Sequence, residues 1–291
     1  MTARLVIVFI AIFIACATST LSRGTNQTRV EVIPLHVTQP EPGTYKPEVD
    51  VLIDGHRKRF TLDSGARKTS VFSDRDTRQY PVIAEDKSGG AFGKVNVVDV
   101  IQPRKLEIGR HVFLNPRLQR TGANRKTNLL GMDLLAENPF QIDLKNATLN
   151  LMAGASTELL KEPIHRLTGG HFAIPISLGK KHCYALFDTG AERTTIDLQF
   201  VNANSQLFKL IRTERGTDSI GHEQETPIYQ VGSVQVGNLR LNNVDMASYD
   251  FGDEFRKKLE GVPIILGSNV IYHAKWSFDI KRGLWAVEPN K

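Results

Sequence analysis

Asp63-Ser64-Gly65-Ala66 and Asp188-Thr189-Gly190-Ala191 state one short phrase twice in a chain of 291 residues, each time after an apolar run. Two carboxyls brought close together cannot both ionise cheaply, so one keeps a proton while the other carries charge, and an acid then stands beside a base. A carboxylate followed by a small hydroxylic residue and glycine suits a sharp turn, where glycine accepts unusual dihedrals and lets other backbone approach. Neither phrase stands alone. Leu129-Leu130-Gly131 follows the first and Ile265-Leu266-Gly267 the second, and nine residues past each glycine begin Phe140-Gln141-Ile142-Asp143-Leu144-Lys145 and Trp276-Ser277-Phe278-Asp279-Ile280-Lys281. A repeat this long is outside the periods of solenoids and propellers and implies two similar domains.

The elements that must carry the two turns read as strands. Alternation begins near Arg29, and a hairpin delivers each Asp turn, bending at Asp54-Gly55 in the first half and at Gly179-Lys180 in the second. Later hairpins are predicted around Leu106–Val112 and Val234–Leu241. Short helices are expected only after the paired glycines, as at Met132–Ala136, where Asn138-Pro139 is a stop. His56-Arg57-Lys58-Arg59 is expected to be the solvated end of a hairpin, and Asp143 and Asp279 to be turn residues.

These motifs resemble two fused copies of a retropepsin-type subunit, a single-chain relative of the pepsin-like aspartic proteases, and the resemblance covers nearly the whole chain after its N-terminus. It implies a mostly β, bilobal acid-protease fold: two similar β-barrel-like lobes with quasi-twofold symmetry. The expected boundaries are 1–24 for a signal peptide or lipoprotein signal, 25–155 for the first lobe, 156–170 for the connection and 171–291 for the second lobe. The implied activity is that of an aspartic endopeptidase in which Asp63 and Asp188 activate one water, with no cofactor and no metal. Ser64, Gly65, Ala66, Thr189, Gly190 and Ala191 would support the pair, the two hydroxyls bonding across to the opposite turn. Ser88–Val95 resembles a flap, giving Gly89, Gly90 and Phe92 a substrate-covering role, and Ile220 and Gly221 are the second-half candidates. The alternative is a secreted, non-catalytic peptide-binding module that keeps the cleft.

Departures from the family pattern are visible. Glu192 keeps the acidic residue usual after the alanine, whereas Arg67 inverts its charge, and Met132 and Ser268 replace the basic residue usual after the paired-glycine signal. Ala66 and Ala191 remove hydroxyl donors that would lower the pKa of a charged carboxyl, so activity is expected to reach weakly acidic or neutral pH.

Arg4 precedes thirteen apolar or small residues, Leu5 to Ala17, and then a polar stretch. That run is short of the roughly 20 residues a membrane span needs and matches a secretory signal, so the protein is expected to be exported. Cleavage at Ala15-Cys16-Ala17, lipidation of Cys16 and retention as an anchor remain three open fates, two of which attach the protein to a membrane. With only Cys16 and Cys183 in the chain, no disulfide is expected in the mature protein, and Cys183 reads as a packing residue. The formal charge of +6 is modest for this length, and no aromatic interleaving marks a nucleic-acid platform. The histidines show no metal-ligand spacing. The expected partner is an extended peptide or unfolded protein, bound by a monomer that is internally a pseudo-dimer.

Overall fold

The computed structural model describes residues 29–89, 95–122, 127–153, 160–217 and 223–290. The signal region 1–24 with Cys16, and Gly90, Phe92, Ile220 and Gly221 of the expected flaps, lie outside the described residues.

Strand Lys46–Ile53 alternates half-buried and buried along its whole length, the period-2 pattern of a sheet with one face on a core. It pairs antiparallel with His56–Leu62, with Ile53 opposite His56. Asp54 (φ 46°) and Gly55 (φ 88°) both take left-handed backbone between them, as the twist of a two-residue hairpin demands. In the second half Phe172–Leu178 pairs with Lys181–Phe187, and Gly179 (φ 57°) supplies the bend. The expected later hairpins are present, with Ile108 opposite His111 and Val236 opposite Leu239.

Each hairpin runs into an Asp turn whose position is fixed by a strand from much later in the chain. Asn128–Leu130 lies parallel to His56–Leu62 and antiparallel to Ser70–Phe72. Ile264–Leu266 lies parallel to Lys181–Phe187 and antiparallel to Thr195–Asp197. The chain thus leaves one edge of a short strand at the turn and returns along its other edge.

These strands belong to a ten-stranded sheet in the first lobe and an eight-stranded sheet in the second. In the latter, pairing of Phe172–Leu178 with Glu223–Val236 closes a ring of six strands. A third, six-stranded sheet joins the lobes through Phe140–Asp143 against Ala274–Asp279. These are the repeated segments, and Gln141 sits opposite its own counterpart Ser277, its Nε2–H donating to Ser277 Oγ at 2.9 Å. A local twofold axis passes there. Phe140, Phe187, Trp276, Phe278 and Trp285 are all fully buried on this sheet and its neighbours, and the Phe187 and Phe278 rings are 4.7 Å apart. Burial of each such ring contributes about 2–3 kcal/mol. Asp143 and Asp279 end their strands by accepting the Asn146 and Arg282 N–H groups at 3.1 and 3.0 Å, the turn role expected of them.

Three expectations are corrected. Helices are not confined to the paired glycines: Leu198–Ala203 is capped by Asp197, and Gly252–Lys258 carries Asp253 and Glu254 in its first turn and Arg256, Lys257 and Lys258 in its last, the charge order that suits a helix dipole. That second helix belongs to a segment whose Phe251, Leu259 and Val262 cover Ala173, Leu186 and Ile265, whereas the first lobe has a much shorter stretch of chain between Thr121 and Asn128 and carries Glu48, Thr61 and Leu129 at the matching sheet positions. Lys58 is not solvated: its ammonium pairs with Asp74 at 2.6 Å and Asp76 at 3.0 Å, leaving the side chain 9% exposed. Within 156–170, where little regular structure was expected, Glu162–Pro163 joins the central sheet and His165–Arg166 joins the second-lobe sheet. Burial pushes the half-buried Cys183 thiol up to about 11, so it stays a protonated packing group. Among the described residues no helix is long and apolar enough to cross a membrane.

Candidate active site

Asp63 is held at both ends of its backbone and at its carboxyl. Its N–H donates to Leu130 O at 3.0 Å, and Oδ1 accepts the Ala66 N–H at 2.8 Å. The Asp188 N–H likewise donates to Leu266 O at 3.0 Å, and its Oδ1 accepts from Gly190 at 2.9 Å and Ala191 at 3.3 Å. The two carboxyls face each other across the lobe interface within hydrogen-bonding reach.

Glycine is required in these turns for a reason other than dihedral freedom, since neither Gly65 nor Gly190 has positive φ. A Cβ on Gly65 would stand 2.3 Å from Asp188 Cγ, and one on Gly190 would stand 2.5 Å from Asp63 Cγ. Each carboxyl occupies the space where the other turn would have a side chain. Burial, and next the charge of Asp63, push the Asp188 carboxyl up to about 8, against the lowering effect of the Gly190 and Ala191 amides. Both effects favour a pair that shares one proton over a pair that is doubly charged.

Ser64 and Thr189, each 1% exposed, lock the two turns together. The Ser64 N–H donates to Thr189 Oγ1 and the Thr189 N–H to Ser64 Oγ, both at 3.0 Å. The hydroxyls then donate onward, Ser64 to Phe187 O at 3.0 Å and Thr189 to Leu62 O at 2.6 Å. Every donor in this buried square has an acceptor from the other lobe. Thr189→Val keeps the shape and removes the hydroxyl, leaving the Ser64 N–H and the Leu62 carbonyl without these partners. A loss of about 2–4 kcal/mol is expected in denaturant unfolding, against less than about 1 for Thr189→Ser.

Sequence reasoning missed the layer beneath. Thr69 Oγ1 accepts the Gly131 N–H at 3.1 Å and donates to Asp133 Oδ1 at 2.7 Å, and Thr194 Oγ1 accepts from Gly267 at 3.1 Å and donates to Asn269 Oδ1 at 2.8 Å. The signal was in the spacing, because each threonine lies six residues past its aspartate and each Asp or Asn two past its glycine. The Met132 and Ser268 amides donate to Ala66 O at 2.8 Å and Ala191 O at 2.7 Å, tying this layer to the turns. Where the family pattern has a basic residue, Met132 is buried, and Ser268 Oγ accepts the Tyr45 N–H and donates to Glu192 O. Arg67 turns outward and donates to Gly169 O at 2.9 Å.

Of the flap residues, Gly89 is described: exposed, at the end of strand Val82–Gly89 and opposite Val95. The second lobe has a corresponding long hairpin, Phe208–Thr217 with Glu223–Val236. Among the described residues no group of three or more His, Cys, Asp or Glu side chains is arranged to hold a metal ion.

A family model described as aspartyl protease matches residues 174–270, which include Asp188 and its paired-glycine signal. No curated protein matches the chain. Among solved structures, the crystal structure of basic 7S globulin from soybean is similar over 91% of this chain and 96% of that one, with a TM-score of 0.54 and 8% sequence identity, a likeness of fold. The second half of the chain is thus similar to the aspartyl protease family, and the fold along nearly its whole length is like that of basic 7S globulin.

Proposed function

We propose that the protein is an aspartic endopeptidase acting on extended peptide or unfolded protein segments. The observation that carries this reading is the opposed pair itself, Asp63 against Asp188, whose closeness and burial favour one shared proton. Such sharing is the behaviour for which aspartic proteases are themselves the type case. The ionised carboxyl takes a proton from water as its oxygen bonds to the peptide carbonyl carbon, while the protonated carboxyl hands its proton to the carbonyl oxygen. Collapse of the tetrahedral species breaks the C–N bond: one of its hydroxyls returns a proton to the carboxyl that had given one, and the nitrogen leaves with the proton that the other carboxyl took from water. The pair returns to one proton and no covalent bond to the enzyme forms.

Export through the N-terminal segment, attachment through that segment or through Cys16, and action as a monomer belong to the same proposal. Cleavage of an unfolded protein, followed across pH, tests it. The alkaline limb should fall through about 8, where the shared proton is lost, and activity should persist at pH 6–7. Activity confined to strong acid would count against a raised pair, and peptide binding without cleavage at any pH would favour the non-catalytic binding module.

A further inference from the structure

The first catalytic turn is gripped from the second lobe by a segment outside both Asp phrases. Leu167–His171 forms a tight bend in which the Leu167 N–H donates to His171 O at 3.0 Å and the Gly170 N–H to Leu167 O at 2.9 Å, with Gly170 at φ 82°. Glu260 anchors the bend by accepting from the Thr168 N–H and hydroxyl. From it His171 Nε2 reaches the Gly65 carbonyl at 2.9 Å, and Gly169 O accepts from Arg67. Because the Gly65 carbonyl can only accept, Nε2 carries the hydrogen.

That carbonyl shares a peptide plane with the Ala66 N–H, which donates to Asp63 Oδ1 at 2.8 Å. A continuous line runs from the imidazole N–H, through one peptide group, to a carboxyl oxygen of the pair. Orienting the plane at its oxygen fixes its N–H, and a donor on the oxygen polarises the amide so that its own bond strengthens. The hydrogen-bonded form of Asp63 that benefits is the anion. The opposite turn has no such imidazole at the matching position, where the repeat carries Lys46, and is held by Ser268 and Tyr45 instead.

We propose that His171 is a positioning residue that acts through the Gly65–Ala66 peptide to hold Asp63 as the charged member of the pair, leaving the shared proton to Asp188. The proposal rests on the reading of that pair as the working site. Burial, and beyond it the neighbouring Arg67, the charged group beside the ring, hold the imidazole below its ordinary range, so it serves as a neutral donor.

His171→Met, which fills similar space without a donor, and His171→Gln, whose amide can donate from a similar reach, separate this role from packing. The Met variant should lose at least about tenfold in kcat with KM little changed, and the acid limb of its rate profile should move to higher pH as the Asp63 anion loses support. The Gln variant should recover most of both. Should Met not fold, His171→Asn, with the same amide one methylene short of the carbonyl, takes its place. Hydrogen exchange of the Ala66 amide, faster in Met and restored in Gln, reads the same line without activity. Absence of cleavage by the wild type would therefore sink the protease reading while exchange still judged the relay. Unchanged kcat, acid limb and exchange in the Met variant would overturn the proposal, as would Gln behaving like Met.

Discussion

Asp188→Asn is expected to reduce peptide cleavage by at least about 10⁴-fold, because the pair then lacks a carboxyl able to pass a proton to and fro. The substitution is close to isosteric, and Asn Oδ1 can keep the bonds from the Gly190 and Ala191 amides. Fold loss is therefore not the expected cause, and the pH dependence of stability provides an independent check. Asp188 titrates near 3.8 in the unfolded chain and near 8 in the folded one. Below the lower value both states are protonated and the group costs nothing. As pH rises towards 8 the unfolded chain releases a proton that the folded protein retains, so the folded state loses stability across that window. Denaturant unfolding at pH 4, 6 and 8 should show the wild type losing ground to Asp188→Asn as pH increases. A constant difference across those three values, or full cleavage by the variant, would contradict the raised, shared ionisation on which the proposed chemistry depends.

Much of this architecture could be read from the chain because the repeat is written in residues with strong local consequences. Asp54-Gly55 and Gly179 specify tight bends by the backbone they accept, and apolar alternation on either side leaves one register. What escaped was set by contacts between distant segments. The polar Thr61 and the apolar Leu186 occupy matching sheet positions, and only the helix-bearing segment packed over Leu186 explains the difference. Lys58 looks like surface charge until Asp74 and Asp76 converge on it. Leu198–Ala203 and Gly252–Lys258 are too short for periodicity to announce them, although the Asp197 cap of the first and the acidic first turn of the second were visible. His171 is 106 residues from the carbonyl it meets, directly after a stretch whose breakers and weak alternation suggested a connection. Glycine in the Asp turns was legible as a need for space, but its cause was read as backbone approach when the neighbour is a carboxyl.

Gly65→Ala follows from that last point and should be among the most damaging single-atom additions to the molecule. The new methyl would stand 2.3 Å from both Cγ and Oδ2 of Asp188 and 2.5 Å from Oδ1, well inside van der Waals contact. Asp188 has little room to withdraw, since its carboxyl is held by two amides and its backbone N–H is bonded to Leu266 O. Nor can the Gly65 turn retreat cheaply while Ser64 is locked to Thr189 on one side of it and the Ala66 carbonyl to Met132 on the other. Relief must come from parting the turns, which separates the carboxyls and strains the buried hydrogen-bond square together. A loss of at least about 100-fold in kcat is expected, with about 1–3 kcal/mol of stability lost to overpacking. Gly232→Ala is the matched control, because a Cβ there meets nothing within 4 Å, and it should leave both quantities near wild type. Cleavage by Gly65→Ala at the wild-type rate would mean that the carboxyl does not sit against this glycine during turnover.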